Sequence, residues 1–173
     1  MDANGRYVPC VVESVRVHVL TGQHVVLLQA RDSDRLLPIW IGADQAHSIA
    51  VRIAGITSDR PLTHDLLMDM IEKLGVEITR VVVKDLVDDG AGSGIFHGSV
   101  FLQSGEREIE IDSRASDAIA IAVRCSARIL VAERVFDRSS ITPEADQEPG
   151  ELSIFKEFID TLEDPGTPPQ TSG

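Results

Sequence analysis

Three short segments place polar and charged side chains at points where helices are predicted to begin. They read IWIGADQA (39–46), RPLTHDL (60–66) and DSRASDAIA (112–120). The first turn of a helix carries unpaired backbone N–H groups and the positive end of the helix dipole, so it is a ready site for an anion such as phosphate. These three segments are therefore the candidates for chemistry in this chain.

The second segment supplies a candidate proton-transfer group. His64 and Asp65 open the predicted helix, where an unpaired histidine is a candidate general acid or base and Asp65 is a candidate to position a water or a divalent ion. Arg60 and Thr63 are candidates to hold phosphate. The alternative is that Thr63 and Asp65 only cap the helix, with Thr63 as the N-cap, and that His64 is solvated.

The third segment combines carboxylates with a guanidinium group. Asp112 and Asp117 are candidate catalytic acids, while Ser113, Arg114 and Ser116 are candidates for binding phosphate. The alternative is that Asp112 or Ser113 caps the helix and that Arg114 and Asp117 form a structural ion pair.

Other residues that often carry chemistry are less informative. Cys10 and Cys125 are isolated, so they predict neither a disulfide framework nor a zinc site. Trp40 alternates with Ile39 and Ile41, and we interpret it as a core anchor rather than as a platform on which a base stacks.

The elements that must position these segments follow from hydrophobic periodicity. Strands are predicted at 8–20, 25–30 and 36–41, followed by a helix at 42–54 with a small apolar face. A second helix begins near Thr63 and ends at Gly75. We expect its apolar side chains to point inward; these are Leu66, Leu67, Met70, Ile71 and Leu74. Further strands are predicted at 76–86, 95–103, 106–111 and 129–131, with a helix at 116–124.

The two halves of this pattern look like copies of one unit. When residues 37–54 are shifted by 72 positions onto 109–126, seven of the eighteen pairs are identical. The sequence therefore predicts an α+β fold, a mainly antiparallel sheet or half-barrel built from a duplicated strand-strand-strand-helix unit. An extra central helix and a C-terminal helix complete it.

Charge and composition divide the chain into a domain and a tail. We predict a domain at 1–136, a linker at 137–150, an amphipathic helix at 151–164 and a disordered end at 165–173. The net charge is −12, and residues 137–173 hold nine acidic and two basic side chains. No apolar run is long enough to cross a membrane and no signal-peptide pattern opens the chain, so we expect a cytoplasmic protein with no membrane partner.

The three segments resemble those of the bifunctional nuclease family, whose approximate pattern is I-W-I-G-x-x-E-A, R-P-x-T-H-D-L and D-S-R-P-S-D-A-I-A-L-A. The resemblance covers about residues 8–136 and implies hydrolysis of phosphodiester bonds in RNA and DNA. For that reaction, with nucleic acid as substrate, we predict that His64 transfers a proton and that Asp65, Asp112 and Asp117 position a water or a divalent ion. A divalent metal is a possible cofactor, and family resemblance together with a small Ala-rich helix face favours a homodimer.

The chain also departs from the family pattern. Gln45 stands where the family has Glu, which removes one candidate metal ligand or base, and Ala115 stands where it has Pro. The acidic net charge is also unlike that of a tight nucleic-acid binder, whose affinity comes from phosphate neutralisation. The alternative function is therefore a non-catalytic binding or regulatory module that holds an anionic ligand or a partner's carboxylate.

Overall fold

The sheet is built from segments in which valine, isoleucine and leucine dominate, because these side chains pack well on a pleated surface. A computed structural model describes residues 6–18, 20–88 and 94–142, together with the backbone of residues 155–157. The strands are β1 (Tyr7–His18), β2 (His24–Ala30), β3 (Leu36–Ile41), β4 (Glu77–Asp88), β5 (Gly94–Ser104), β6 (Arg107–Arg114), β7 (Arg128–Ala132) and β8 (Phe155–Glu157). The helices are α1 (Ala43–Ile53), α2 (Thr63–Lys73), α3 (Ala115–Cys125) and α4 (Glu133–Ser139).

The strand order confirms the duplicated unit. The sheet runs β3-β2-β1-β7-β4-β5-β6 and curves into a half-barrel, so β1-β2-β3-α1 and β4-β5-β6-α3 lie on either side of β7. β7 is antiparallel to β1 and parallel to β4, and the other neighbours in this order are antiparallel. The first strands of the two units therefore run in opposite directions, as a twofold relation requires.

A β-bulge recurs at matching positions in the two units. The register of β1 shifts between Val12 and Ser14, and that of β4 shifts between Ile78 and Arg80. The bulged residues, Glu13 and Thr79, are 66 positions apart, which is the offset that also aligns the similar stretches 15–20 and 81–86. Since a bulge bends a strand and increases its twist, the same curvature is built into both halves of the sheet.

The core lies between this curved sheet and the pair α1 and α3, which pack against each other and against strands of their own units. Small side chains on both helices permit this close packing; the buried alanines are Ala46, Ala50, Ala115, Ala118, Ala120 and Ala122. The small side chains bring the first turns of the two helices near each other, which is what forms the site.

Helix α2 corrects the prediction that its apolar side chains point inward. Leu66, Met70 and Leu74 are 56%, 54% and 75% exposed, while Met68 and Ile71 are partly buried against the core. The reason is that α2 packs mainly on α3 and uses only a narrow stripe for that contact. Helical periodicity identifies an apolar face but does not identify what covers it.

Trp40 is 53% exposed, so the interpretation of this residue as a core anchor was wrong. Successive side chains of a strand point to opposite faces of the sheet. Since Ile39 is buried, its neighbour Trp40 in β3 has to lie on the other face.

The C-terminal part of the domain extends beyond the predicted boundary at residue 136. Helix α4 continues through Ser139 into the predicted linker, and the backbone of Ile141 pairs with that of Leu36 through two hydrogen bonds of 2.7 and 2.8 Å. The predicted linker therefore begins inside ordered structure.

Of the helix predicted at 151–164, the structure describes only the backbone of β8, which forms a strand on Arg16–His18 instead of a helical turn. One edge of β1 is covered by β2, and β7 pairs with the other edge only at residues 7–10, so the rest of that edge is available to β8. The remainder of the predicted helix and the predicted disordered end lie outside the described residues. Among the helices that are described, none has both the length and the apolar character that a membrane crossing requires.

Candidate active site

The first turns of three helices converge on one cleft, which we call the His64 cleft. Its volume is about 380 Å³. Helix α1 contributes Asp44, Gln45, His47 and Ser48, the start of α2 contributes Leu62, Thr63 and His64, and the start of α3 contributes Arg114 and Asp117. Each predicted helix start therefore does contribute to a single concave surface, where three helix N-termini favour a bound anion.

His64 lies at the centre of a chain of hydrogen bonds in this cleft. Its Nδ1 is 2.9 Å from Ser48 Oγ, and its Nε2 is 3.3 Å from Asp117 Oδ1. A carboxylate accepts only, so Nε2 carries the proton toward Asp117. The neutral ring then accepts the Ser48 hydroxyl hydrogen at Nδ1. With 12% of its side chain exposed, His64 is held from both sides in one orientation.

Arg114 and Asp117, which both line the cleft, form a bidentate ion pair. Arg114 Nε donates to Asp117 Oδ2 at 2.6 Å and Nη2 donates to Oδ1 at 3.2 Å. The hydrogen bond to Asp117 raises the pKa of Arg114 above its already high ordinary value, so the guanidinium stays charged. The side chain of Arg114 is 67% exposed and that of Asp117 is 25% exposed. The cation therefore remains accessible to a phosphate.

Asp65 belongs to a different contact. Its Oδ1 accepts from Arg124 Nε at 2.6 Å, and its Oδ2 accepts the backbone N–H of Leu62 at 2.8 Å. Burial by itself would raise the pKa of Asp65, but the hydrogen bonds from Arg124 and Leu62 outweigh it and hold this pKa below its ordinary value. Asp65 thus caps α2 and ties it to α3. The N-cap residue is Leu62 and not Thr63, which is the first residue of the helix.

Asp112 also lies apart from His64. It is on the exposed face of β6, where Lys84 Nζ donates to its Oδ1 at 2.8 Å. This hydrogen bond lowers the pKa of Asp112. Arg60, on the approach to α2, is exposed and lines neither the His64 cleft nor the cleft described next. The structure therefore brings together Thr63, His64, Arg114 and Asp117 from the predicted set, and separates Asp65, Asp112 and Arg60 from them.

Ser116 lines a second opening, which we call the Trp40 cleft, with a volume of about 490 Å³. Trp40, Ile95, Phe96 and Arg114 also line it, so Arg114 lies between the two clefts. Ser113 lies one residue before Arg114, and its Oγ is buried without a hydrogen-bond partner. Of the two predicted phosphate-binding serines, Ser116 is therefore at a cleft and Ser113 is inside the protein.

Sequence reasoning missed the contribution of α1. Ser48 is 4% exposed, and it follows Gln45 by three residues, so both lie on one side of α1. The signal was present as a hydroxyl inside an otherwise apolar helix stripe, between Ala46 and Ile49. A buried polar side chain needs a partner, and that partner is His64.

A metal ion does not fit the described donor set. Within residues 6–18, 20–88 and 94–142, no three His, Cys, Asp or Glu side chains converge into a group that could hold one. Asp117 is already engaged by Arg114 and His64.

The sequence that forms this half-barrel and cleft matches the model of a known family. The bifunctional nuclease domain family matches residues 26–144 of this sequence. The match covers more than half of the chain, and the chain therefore belongs to the bifunctional nuclease domain family.

Individual relatives lie in bacteria and plants. An uncharacterized protein of Mycobacterium tuberculosis is 36% identical over 159 residues, covering 87% of this chain and 92% of that protein. Bifunctional nuclease 1 of Oryza sativa is 29% identical over 136 residues, covering 76% of this chain and 40% of the rice protein. Bifunctional nuclease 2 of Arabidopsis thaliana is 28% identical over 109 residues, covering 62% and 32% respectively. The chain thus spans less than half the length of these plant relatives.

Proposed function

We propose that this chain is a nuclease that hydrolyses phosphodiester bonds in RNA, DNA or both, with the His64 cleft as its active site. The observation that carries the proposal is the convergence of His64, Asp117, Arg114 and three helix N-termini on one cleft. Family membership and the name of the plant relatives, bifunctional nuclease, support the same reaction. The nucleic acid enters here as substrate, and its identity as RNA or DNA is part of what the assay below measures.

In the proposed site, Arg114 and the N-termini of α1, α2 and α3 bind the phosphate. The guanidinium offers planar N–H donors that match phosphate oxygens, and the N-termini of α1, α2 and α3 add partial positive charge. This local field acts within a chain of net charge −12. Binding therefore depends on a few contacts and not on a broad basic surface.

In the proposed site, His64 accepts the proton. Asp117 holds Nε2, so the basic nitrogen is Nδ1, which is hydrogen-bonded to the hydroxyl of Ser48, a residue that also lines the cleft. In the proposed step a water oxygen attacks phosphorus while its proton passes to Ser48 Oγ and the hydroxyl proton passes to His64 Nδ1. The P–O bond to the leaving oxygen breaks, and this oxygen takes a proton from a second group, for which exposed His47, which also lines the cleft, is the candidate donor. In this step Ser48 relays the proton, and Asp117 acts as a positioning residue for His64.

A second candidate function is a non-catalytic module that holds an anionic metabolite or a partner's carboxylate. The observation that favours it is the charge balance of the cleft. The family carboxylate is replaced by the neutral Gln45, and Asp117 is neutralised by Arg114. Such a module would bind phosphate ligands with the same residues and release them unchanged.

A nuclease assay on highly purified protein separates the two functions. Single-stranded and duplex RNA and DNA are incubated with the wild type and with His64→Ala, purified identically, in the presence of Mg²⁺ and in the presence of EDTA. Cleavage by the wild type that His64→Ala lacks supports the nuclease. Equal cleavage by both preparations would come from a contaminant, and binding without cleavage would favour the module.

We also propose that the protein is a homodimer and that an exposed apolar stripe along α2 is its interface. Leu66, Met70 and Leu74 follow one another at intervals of four residues and are all more than half exposed. An apolar stripe of this kind is self-complementary, as a twofold interface requires. Light scattering after gel filtration should give twice the chain mass for the wild type and the chain mass for Met70→Glu. A monomeric wild type would contradict the proposal.

A further inference from the structure

The Trp40 cleft joins the His64 cleft at Arg114, which lines both. We propose that the Trp40 cleft is a subsite for one unpaired nucleobase whose neighbouring phosphate lies at Arg114, and that single-stranded nucleic acid is therefore the preferred substrate class. The inference rests on the proposed nuclease function for its substrate. Base binding is nevertheless measured independently of cleavage.

One wall of the cleft is an aromatic surface that is accessible to solvent. Trp40 is 53% exposed and Ile95 is 55% exposed, while Phe96 is half-buried beside them. A nucleobase that stacks on an indole removes apolar area of both partners from water, and this contact is tolerant of base identity because every base has a π-face. The stacked partner has to be planar and aromatic to match that surface.

The charges of the cleft fit a base with a phosphate at one end. Among the described residues that line it, Arg114 is charged and none is acidic, although the chain as a whole carries −12. Gln23 and Ser116 also line the cleft and offer side-chain donors and acceptors for the edge of a base. A nucleotide carries its base and its phosphate on opposite sides of the sugar, which matches an aromatic wall on one side of Arg114 and the His64 cleft on the other.

The position of the cleft in the fold makes it a rigid platform. Trp40 comes from β3, at one end of the strand order, and Phe96 comes from β5, near the other end. The curvature of the sheet brings these ends to one opening, so the aromatic side chains are fixed by paired strands. A base inside a duplex has both faces covered by its stacked neighbours, and only an unpaired base can offer a face to Trp40.

The chain provides its own probe, because Trp40 is its one tryptophan. Intrinsic fluorescence of the full chain is titrated with adenosine monophosphate, with ribose 5-phosphate, which has the sugar and phosphate but no base, and with inorganic phosphate. We expect saturable quenching by the mononucleotide and no quenching by the two ligands that lack a base. Equal responses to all three would overturn the subsite.

Variants test the same contact with a labelled single-stranded oligonucleotide followed by anisotropy. Trp40→Leu should weaken binding by about 5- to 150-fold, the range measured for one base–aromatic contact, and Trp40→Phe should retain most of the affinity. Duplex of the same sequence should bind less tightly to the wild type and should be insensitive to Trp40→Leu. Because Trp40 is half exposed, both variants should keep the melting temperature of the wild type, which serves as the folding control. If both substitutions weaken binding equally, or if single strand and duplex bind alike, the inference is wrong.

Two further outcomes separate this inference from the proposed function. Base-dependent quenching without cleavage of any nucleic acid would remove the nuclease and leave the subsite standing. Cleavage that is unchanged in Trp40→Leu, with no base-dependent quenching, would leave the nuclease and remove the subsite. Fluorescence that changes with protein concentration and ignores nucleotides would assign Trp40 to an interface between two copies, and would also overturn the proposal.

Discussion

The two repeats of this protein have the same scaffold and different chemistry. At the offset of 72 residues, Gly42 of the first unit corresponds to Arg114 of the second, and Gln45 corresponds to Asp117. A side chain at Gly42 would meet Gln45, whose Oε1 lies 2.6 Å from the position of a Cβ there. The first unit therefore has no side chain at the residue before its helix, and the neutral amide of Gln45 lies over that residue. At the matching positions the second unit has an exposed cation, Arg114, and a carboxylate, Asp117.

The last turns of α1 and α3 also differ, because their matching arginines make different contacts. Arg124, at the end of α3, has a side chain only 5% exposed and pairs with Asp65 of α2. The corresponding Arg52 of α1 donates to the backbone carbonyls of Val123 and Arg124 at 3.5 and 3.1 Å. Identical residues at matching positions thus have different partners, because α2 lies on α3 and has no counterpart in the second unit.

The comparison of the two repeats shows that the packing of the helix pair was kept after duplication, whereas the polar residues of the site were not. The shared alanines and isoleucines of α1 and α3 keep the helix pair together, whereas the polar positions diverged. The site draws Arg114 and Asp117 from the second unit, Ser48 from the first and His64 from the inserted helix. The two units thus give the cleft different charges, Asp44 from the first and the pair Arg114 and Asp117 from the second, and such a site is suited to an asymmetric ligand.

The largest expected effect comes from substituting the acid that has no charged counterpart in the first repeat. Asp117→Asn should lower turnover by about 10²-fold or more, in the range of general acid–base contributions, because it weakens the contact that orients His64. Binding of the oligonucleotide should change little, since Arg114 remains. Gln45→Ala, the change at the matching position, should cost less activity. Measured kcat values that fall equally for the two variants would mean that the repeats contribute equally to the site.

A smaller effect is expected from Arg114, which occupies the place of Gly42. Arg114→Ala should weaken binding of a short oligonucleotide by about 1–3 kcal/mol, the value of a charge-assisted hydrogen bond, with little loss of fold stability. It should also reduce the slope of log affinity against log salt by about one. Arg60→Ala removes an exposed arginine that lines neither cleft and serves as the matched control. Should Arg60→Ala have the larger effect, phosphate binds at the approach to α2 and not at Arg114.

The smallest effects concern stability and compare Arg124 with Arg52. Asp65→Asn leaves buried Arg124 without its anion and should cost about 1–2 kcal/mol near neutral pH, a value reduced for the partial exposure of Asp65. Arg52→Ala should cost about 0.5–1 kcal/mol, because it removes only contacts to a helix end.

The pH dependence of the Asp65 effect has a defined sign. Its pKa is lower in the fold than the ordinary value of 3.8, so its contribution is present above that value and is lost as the pH falls through the lowered pKa. Urea unfolding should therefore show a difference between wild type and Asp65→Asn near neutral pH that shrinks as the pH falls below 3.8 and through the lowered pKa. A difference that persists unchanged in acid would show that the carboxylate charge is not what stabilises α2.

The fold was largely predictable because its signals are local and repeated. Strand alternation, alanine-rich helix faces and the offset of 72 residues predicted the strands and helices of both units and their order. The predictions that failed were those that depended on which other part of the protein packs against a residue. Leu66, Met70 and Leu74 have the period of a buried face, yet nothing in that period states that the helix lies at the edge of the core. Trp40 was misplaced because its alternation with Ile39 and Ile41 puts it on the face opposite to theirs, and the alternation alone does not state which face is buried.

The site was partly predictable for a related reason. His64, Arg114 and Asp117 stand at helix starts, which sequence identifies, and three helix starts did meet. Asp65 and Asp112 have the same residue types and the same proximity to helix starts, but their partners Arg124 and Lys84 are distant in sequence, and only the tertiary fold selects them. Ser48 was missed because a lone serine in an apolar helix carries no information about which histidine it will contact.

The place of β7 in the sheet has a consequence for how the chain is made. β7 separates β1 from β4, yet it is synthesised after both repeats are complete. Until then each unit has an unpaired edge along its first strand, and such edges are templates for association with other chains. Joining the halves requires β1 to pair with residues about 120 positions further along the chain, a long-range contact of the kind that slows folding. The two half-sheets are joined only when this five-residue strand pairs with both of them, which makes residues 128–132 the segment on which assembly of the whole sheet depends.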